Sequence, residues 1–472
     1  RDYFDKTIDG NFNVATAARQ PGSSFKPIVY AEAFKKGYTA DTVLFDVKTE
    51  FNSSCSPTGN PLPGSKNATC YNPDNYDNSF RGPMTLKDAL AQSINVIGVS
   101  TLNDPTRYGL TLVIGGGETT LLDMTSAYGV FATEGVRHPY QSVLSVENAD
   151  GEILEKYEDK SFQVLQPNAT RILSDILSDN GARTPTFGAN SSLVVPGYNV
   201  AVKTGTTNSN KDAWTIGYTP SVSVGVWVGN NDNTPMKKGG AALAGPIWNA
   251  VIKEALKNLP AESFNKPDRV DLSLPAILRG FWQGGETFTT DSISGGLATE
   301  YTPDNLKNEQ SITNVHTILY WIDKKNPTGP RTIDGSGDSQ FTNWEYGVQK
   351  WWNNNKYKYK IVTDVNQPLL YDPIHTTTSK PTFTLSGVEA GTYSNNKTIT
   401  LTITPTSQAP IKKIDVFINN TYISSLKYPP FKVSFMPKDI DNISTSNTIR
   451  IIGYDTSGNV GEATTLFNTT EN

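Results

Sequence analysis

Hydrophobic positions in the first half of the chain alternate between a helical period and a strand period. Apolar residues three or four positions apart predict helices over residues 23–38, 85–102 and 245–259, the last opening on Gly-Pro. Near-alternating runs rich in valine and aromatic residues predict strands over residues 199–204 and 214–229. The pattern therefore predicts a mixed domain of helices and strands.

The pattern changes twice farther along the chain. Residues 263–380 are dominated by Pro, Gly, Asn and Asp, with short apolar islands, which predicts an ordered connector without a core of its own. Residues 381–472 contain short alternating runs separated by turn residues, which is typical of a small immunoglobulin-like β-sandwich. We therefore predict three segments, namely 1–262, 263–380 and 381–472.

Composition and charge exclude several classes of function. A chain of 472 residues is too long for one compact core. Its formal net charge of -5 gives no concentrated basic face for phosphate, so we expect no nucleic acid partner. No run of eighteen apolar residues occurs, so no segment of this sequence is predicted to span a membrane.

Two cysteines, Cys55 and Cys70, lie in one polar segment. In an oxidising compartment they could form a disulfide, and otherwise they would be two free loop thiols. The sequence leaves both open. A metal site at this pair is not expected, because the three histidines (His138, His316 and His375) are scattered and none lies nearby.

Ser23 and Lys26 form a Ser-x-x-Lys pair at the start of a predicted helix. Residues three apart share one helix face, and a lysine with a depressed pKa can accept a hydroxyl proton. The unpaired N–H groups of a helix start also favour developing negative charge. Two further pairs have the same spacing without a convincing helix, at residues 263/266 and 424/427. Alone, the pair is therefore weak evidence.

A second candidate element is Ser93-Ile94-Asn95, which lies in an apolar predicted helix where polar side chains need partners or a function. The alternative is a polar pair at a helix end. A rival Ser-Asp-Asn occurs at residues 178–180, but it precedes the next motif too closely and is typical of a helix exit.

The third element is Lys203-Thr204-Gly205-Thr206. The lysine offers positive potential for a carboxylate, the threonines offer hydroxyl donors, and glycine allows close approach to the strand. The alternative is an ordinary strand that ends in a turn.

In this order, the three motifs resemble those of the penicillin-recognising serine enzymes. The flanking sequence resembles the class A (bifunctional) penicillin-binding proteins in particular, over residues 19–27, 75–82, 89–95 and 211–229. The resemblance is dense over residues 1–262 and ends before the C-terminal segment. It implies an α+β transpeptidase fold, with an antiparallel sheet flanked by helices, whereas the immunoglobulin-like sandwich that follows is predicted from the strand pattern alone.

The resemblance also implies a role for each matching residue. Ser23 would be the nucleophile, Lys26 its base and Ser93 a proton shuttle. Asn95 would bind Lys26 and the substrate amide. Lys203, Thr204, Gly205 and Thr206 would position the substrate and its carboxylate. The implied reaction is D-Ala-D-Ala transpeptidation of peptidoglycan stem peptides through an acyl-enzyme, blocked covalently by β-lactams, with no metal or organic cofactor.

Partners and location follow from the same resemblance. The substrates would be stem peptides on lipid-linked or nascent glycan strands, at the extracytoplasmic face of a bacterial plasma membrane. A glycosyltransferase domain and a membrane anchor are expected in an N-terminal part outside this sequence. Alternatives are a D,D-carboxypeptidase, a β-lactamase or penicillin sensor, or a wall-binding module formed by the C-terminal sandwich.

The resemblance also predicts an incomplete sheet. In such domains, two strands of the central sheet precede the nucleophile helix, and the segment before Ser23 is too short and polar to supply both. We therefore expect a sheet with fewer strands and one unpaired apolar edge, which would favour aggregation.

Overall fold

A computed structural model describes residues 3–7, 10–100, 111–330, 335–359, 368–388 and 391–470. The chain divides into two compact units. Unit 1 comprises residues 1–285 and 313–363, and unit 2 comprises residues 286–312 and 364–472. The predicted connector is thus shared between the two units, and the predicted three-segment division stays a prediction.

The α-helices all lie in unit 1 among the described residues. They are α1 (Lys26–Lys35), α2 (Leu86–Ala91), α3 (Asn95–Ser100), α4 (Leu121–Ala132), α5 (Pro167–Ser178), α6 (Asn180–Phe187), α7 (Gly240–Leu256), α8 (Ile318–Trp321) and α9 (Phe341–Asn355). A 3₁₀ turn over Gly22–Phe25 precedes α1 directly.

The strands form small antiparallel sheets in unit 1 and two larger sheets in unit 2. The first strands are β1 (Val43–Asp46), β2 (Gly82–Thr85), β3 (Val136–Arg137), β4 (Ser145–Glu147), β5 (Ile153–Lys156), β6 (Phe162–Gln163), β7 (Ala201–Thr206), β8 (Asp212–Thr219) and β9 (Val222–Gly229). The later strands are β10 (Gly284–Asp291), β11 (Lys307–Thr313), β12 (Thr382–Ser386), β13 (Thr392–Ser394), β14 (Ile399–Thr406), β15 (Ile411–Ile418), β16 (Thr421–Leu426), β17 (Lys432–Phe435), β18 (Ser446–Asp455) and β19 (Val460–Thr470).

The central sheet of unit 1 has three antiparallel strands in the order β7-β8-β9. Trp248 of α7 packs so closely on β8 that a Cβ on Gly217 would lie 2.4 Å from its ring. Thr125 of α4 packs equally closely on Gly225 of β9. Among the described residues, β9 pairs with β8 alone. We predicted a sheet with fewer strands and an unpaired edge, and the described residues show three strands with no partner on the outer side of β9.

The first predicted helix begins later than its pattern indicated. Residues 22–25 form the 3₁₀ turn, and α1 starts at Lys26 with Pro27 in its first turn. Proline is tolerated there because that N–H has no partner within the helix. The helix ends at Lys35, and Gly37 follows with a positive φ of 102°. Ser23 thus lies on the tight turn that directly precedes α1, three residues before Lys26.

The prediction of one continuous helix over residues 85–102 is wrong. Thr85 ends β2 and caps α2, its hydroxyl accepting from the N–H of Asp88. The chain then breaks at Ser93, whose φ is +63°, before α3 starts at Asn95. The hydrophobic period persists across such a break because both short helices bury the same face. Predicted residues 101–102 lie outside the described residues.

The helix predicted over residues 245–259 is α7, which begins five residues earlier, at Gly240, and ends at Leu256. Gly-Pro therefore lies inside the helix, not at its start. The N–H of Gly240 donates to Oγ1 of Thr206 over 3.0 Å. This contact ties the start of α7 to the end of β7.

Cys55 and Cys70 form a disulfide. It lies within the loop between β1 and β2, and that loop carries residues discussed below. Near this loop, Phe45 of β1 packs edge-on against Trp282 and Trp351. The tryptophans of the predicted connector therefore complete a small core of unit 1.

Unit 2 contains a three-stranded sheet, β12-β14-β17, and a five-stranded sheet, β13-β19-β18-β15-β16. The alternating runs predicted at residues 398–403, 414–418 and 448–454 lie on β14, β15 and β18. Inward-facing side chains from both sheets share one core, including Leu401, Val416 and Ile451. In the described part of the chain, no helix has the length and apolar character needed to cross a membrane.

Candidate active site

The turn that carries Ser23 lies against the end of β7. Gly22 has a φ of +53°, and a Cβ there would lie 2.5 Å from the carbonyl oxygen of Thr206. A Cβ on Gly205 would lie 2.3 Å from the carbonyl oxygen of Pro21. Only glycine at both positions allows this approach without displacement of the backbone. Two backbone segments far apart in sequence thereby meet beside the half-buried Ser23.

Lys26 is fully buried, and its ammonium nitrogen faces the helix break at Ser93. Its Nζ donates to the carbonyl oxygen of Ser93 over 2.7 Å and to Oδ1 of Asn95 over 2.8 Å. Burial, followed by the positive charge of Lys203, holds the pKa of Lys26 well below its usual range. The left-handed conformation of Ser93 turns its carbonyl out of the helix ladder and makes this contact available.

Lys203 reaches the same serine from β7. Its Nζ donates to Oγ of Ser93 over 2.8 Å and to the carbonyl oxygen of the next residue, Thr204, over 2.9 Å. Burial lowers the pKa of Lys203 to about 7. Ser93 therefore bridges the two lysines, one through its backbone and one through its side chain.

The last two residues of the third motif lie where β7, the nucleophile turn and α7 meet. Gly205 contacts the turn, and Thr206 is fixed by the hydrogen bond from Gly240. Thr204 lies one step earlier on β7, opposite Thr215 in the register with β8. The structure thus brings the three motifs to one place, although the sequence separates them widely.

Two residues that the sequence analysis did not identify hold Asn95 in place. Asn75 accepts the backbone N–H of Asn95 through Oδ1 over 2.9 Å. Its Nδ2 donates to Oδ1 of Asp46 over 2.7 Å and to the carbonyl of Ser79 over 2.8 Å. Asp46 also accepts the backbone N–H of Arg81 over 3.0 Å. A buried chain of hydrogen bonds therefore runs from Asp46 through Asn75 and Asn95 to Lys26.

Asp46 is a fully buried carboxylate at the end of β1. Burial raises the pKa of Asp46, and its hydrogen bonds from Asn75 and Arg81 oppose that rise. The only sequence signal for these residues was the Asn-Tyr-Asp run at residue 75, which carried no role, and a polar residue after the apolar run 43–45.

We expect Asn75→Ala to slow acylation by a β-lactam about tenfold and to lower the free energy of unfolding by about 1–3 kcal/mol. The change removes the partner of the Asn95 N–H and leaves Asp46 short of a donor in a buried site. Acylation rates and urea unfolding measure the two effects. Asn72→Ala is the matched control, because among the described residues the Asn72 side chain has a single hydrogen bond, to Glu50 over 3.3 Å. A stability loss with unchanged acylation would contradict a positioning role.

The rival motifs lie in other surroundings. Residues 263 and 266 lie outside every helix, and Ser424 lies on strand β16. Ser178 ends α5, and the side chain of Asp179 caps α6 by accepting from the N–H of Ala182. None of these serines has a buried lysine of the same motif beside it, within the residues that the structure describes.

Comparisons of the sequence and of the structure with known proteins find penicillin-binding proteins. Residues 106–253 match the family described as "Penicillin binding protein transpeptidase domain". Penicillin-binding protein 1A of Neisseria lactamica is 32% identical over 57% of this chain and 35% of its own length. That of Aquifex aeolicus is 32% identical over 54% of this chain and 36% of its own. Among solved structures, the penicillin-binding protein PonA1 from Mycobacterium tuberculosis has a TM-score of 0.46 and 25% identity, covering 55% of this chain and 74% of that chain.

Residues 106–253 thus resemble the transpeptidase domain of the penicillin-binding proteins. Within that class, the relatives that it matches are class A proteins named penicillin-binding protein 1A. The match spans about a third of the length of those relatives.

Proposed function

We propose that this chain is a serine-type D-Ala-D-Ala transpeptidase that cross-links peptidoglycan through an acyl-enzyme on Ser23. The observation that carries the proposal is the fully buried Lys26, held by Ser93 and Asn95. Ser23 lies three residues before it, on the turn that enters the same helix. Burial and a neighbouring cation both favour the neutral form of an amine, and a neutral amine can accept a proton.

In the first step, Oγ of Ser23 attacks the carbonyl carbon of the penultimate D-Ala, and its proton passes to Nζ of Lys26. The backbone N–H groups of Ser23 and Thr206 stabilise the oxyanion. The bond to the terminal D-Ala then breaks, the departing amine takes the proton of the Ser93 hydroxyl, and Lys26 passes the proton that it accepted to Ser93, so Lys26 is neutral again. Because that hydroxyl oxygen accepts from Lys203, its own proton is free to be donated onward.

In the second step, the amine of a neighbouring stem peptide attacks the acyl carbon. The acceptor amine loses a proton to Lys26, and Oγ of Ser23 leaves with a proton returned from Lys26. The new amide bond is the cross-link, and both residues return to their starting state. Proton balance therefore needs no metal or organic cofactor.

Lys203, Thr204, Gly205 and Thr206 form the binding edge for the substrate carboxylate. The proposal rests on the buried charge of Lys203 and on the hydroxyl groups of the strand beside Ser23. Asn95 places a second polar side chain beside this edge. That side chain is held there by its hydrogen bonds with Lys26 and with the carbonyl of Asp74. A β-lactam carboxylate would occupy the same position as the stem-peptide carboxylate.

Intact mass after treatment with benzylpenicillin tests the proposal. We expect one stable adduct per chain, and peptide mapping should locate it on the peptide that contains Ser23. An adduct on Ser263 or Ser424, or no adduct on the folded chain, would overturn the assignment. Rapid loss of the adduct would instead identify a β-lactamase.

The pH profile of acylation should be bell-shaped. Acylation rises with pH as Lys26 loses its proton, at a pH well below the usual range of lysine because of burial and Lys203. It falls again near pH 7, where Lys203 loses the charge that binds the carboxylate. Lys203→Arg stays charged, so its profile should reach a plateau. Stopped-flow acylation rates across the pH range measure this, and a falling limb retained in Lys203→Arg would contradict the assignment.

For the C-terminal segment, 381–472, we propose an immunoglobulin-like sandwich. The support is its two sheets of alternating burial that share one core. A wall-binding role for this segment stays the alternative function. The disulfide between Cys55 and Cys70 supports an extracytoplasmic location, because such bonds persist in oxidising compartments. The proposed partners are therefore peptidoglycan stem peptides and β-lactams at the outer face of the plasma membrane.

A further inference from the structure

Unit 2 contains a buried cluster of two carboxylates and one imidazole, formed by Asp291, Asp372 and His375. Asp291 and His375 are almost completely inaccessible, and Asp372 is 4% exposed. Nδ1 of His375 lies 2.5 Å from Oδ2 of Asp372 and 3.8 Å from Oδ1 of Asp291. Three atoms of types that bind metals thus converge on one point in the interior.

The hydrogen bonds of Asp291 leave one oxygen without a partner. Its Oδ2 accepts the backbone N–H groups of Ile293 over 3.1 Å and Ser294 over 2.6 Å. Its Oδ1 is buried and has no hydrogen-bond partner in the described structure. A buried carboxylate oxygen without a partner is costly, so its native state needs a ligand that the protein side chains do not supply.

The histidine is oriented as metal-binding histidines are. Its Nε2 lies 2.8 Å from the carbonyl oxygen of Ser457. Because a carbonyl can only accept, Nε2 carries a proton, and Nδ1 is the atom that faces the carboxylates. Metal-bound histidines usually donate their second N–H to a carbonyl or carboxylate in this way.

Charge gives a third argument. Among the described residues, the only ion pairs of Asp291 and Asp372 are those with His375. Even a protonated imidazole leaves one negative charge uncompensated in the interior, which is unfavourable. A divalent cation beside a neutral imidazole would balance both carboxylates.

We propose that Oδ1 of Asp291, Oδ2 of Asp372 and Nδ1 of His375 bind one divalent transition-metal ion. The mixture of one imidazole and two carboxylates suits zinc, with ligand bonds of about 2.0–2.2 Å. Ligands of such an ion lie about 3.3 Å apart, between the two observed distances, so small side-chain rotations suffice. The hydroxyl of Thr302 donates to Oδ2 of Asp372 over 2.7 Å and so helps to orient that carboxylate.

The ion would stabilise unit 2. Asp291 ends strand β10, Asp372 and His375 belong to the segment before β12, and Ser457 belongs to the turn between β18 and β19. One ion would therefore join segments that the sheets of unit 2 do not themselves connect. The site was not predicted from the sequence, because clustered cysteines and histidines were the only metal-binding pattern sought there.

Metal content and affinity of the full chain test the proposal. The protein is stripped with a chelator, dialysed, titrated with Zn²⁺, Co²⁺ or Ca²⁺, and assayed for bound metal and thermal unfolding. We expect one Zn²⁺ or Co²⁺ per chain, a raised melting temperature, and a Co²⁺ absorption spectrum typical of mixed nitrogen and oxygen ligands. No binding, or binding of Ca²⁺ alone, would overturn the proposal.

Two variants locate the ion. Asp291→Asn keeps the shape, its amide can donate to Nδ1 of His375, and it should weaken Zn²⁺ binding by at least ~100-fold. His138→Gln is the matched control, because His138 pairs with Asp159 on the surface and should not affect binding. Loss of binding in His138→Gln, or unchanged binding in a folded Asp291→Asn, would overturn the assignment.

If Asp291→Asn does not fold, the ¹⁵N chemical shifts of His375 in the wild-type chain test whether Nδ1 binds the ion. A metal-bound Nδ1 loses its proton when Zn²⁺ is added, whereas a permanent imidazolium keeps both protons and refutes the site.

Discussion

Ser23→Ala should abolish covalent labelling by benzylpenicillin while the fold stays intact. The hydroxyl is the only part of this side chain that can form the ester, and no other serine of the described chain has a buried lysine of its own motif beside it. Because Ser23 is half-buried, the loss of one oxygen should change the free energy of unfolding by less than about 1 kcal/mol. Intact mass and urea unfolding measure both outcomes.

Ser263→Ala is the matched control for Ser23→Ala, since it removes the hydroxyl from a Ser-x-x-Lys of the same spacing. It should label as the unchanged chain does. If Ser23→Ala still carries an adduct, the nucleophile is elsewhere and the proposed reaction loses its first step.

Lys26→Arg should reduce the rate of acylation by at least ~100-fold, the range expected for loss of a general base. Arginine keeps the positive charge but cannot release its proton at working pH, so it cannot accept the proton of Ser23. The guanidinium is also larger than the ammonium, and the Lys26 side chain is fully buried, so stability must be measured beside the rate.

Lys26→Met separates the loss of the base from the burial of a bulky charge. Methionine fills a similar volume and needs no hydrogen bonds, so this variant should be at least as stable as Lys26→Arg. It should be equally slow in acylation. Near-normal acylation in a folded Lys26→Met chain would refute the role of Lys26 as the base. Lys203 would then be the next candidate for that role.

The sequence by itself predicted which three motifs form the candidate site. The spacing of Ser23 and Lys26 is local, since residues three apart share a face at the start of a helix. The strand predicted over residues 199–204 included Lys203 and Thr204 of the third motif, because its valine-rich run is a local signal for a strand, and β7 continues to Thr206. The alternating runs of residues 381–472 likewise predicted β14, β15 and β18, since side chains on a strand alternate between its faces.

Only the tertiary structure decided where these elements break and what lies beside them. The hydrophobic period continues through Ser93, so the sequence could not reveal the left-handed residue whose carbonyl receives Lys26. Asn75 holds Asn95 and is itself held by Asp46 at the end of β1, and such contacts between distant segments leave no local pattern.

The cluster of Asp291, Asp372 and His375 is the clearest case. Asp372 and His375 are three residues apart, but Asp291 comes from another strand, and the sequence contains many similar polar residues on its surface. Burial distinguishes this set, because it removes water from the carboxylates. A carboxylate oxygen without a hydrogen-bond partner, such as Oδ1 of Asp291, is then energetically costly. Burial is a property of the packed chain, and no single stretch of the sequence encodes it.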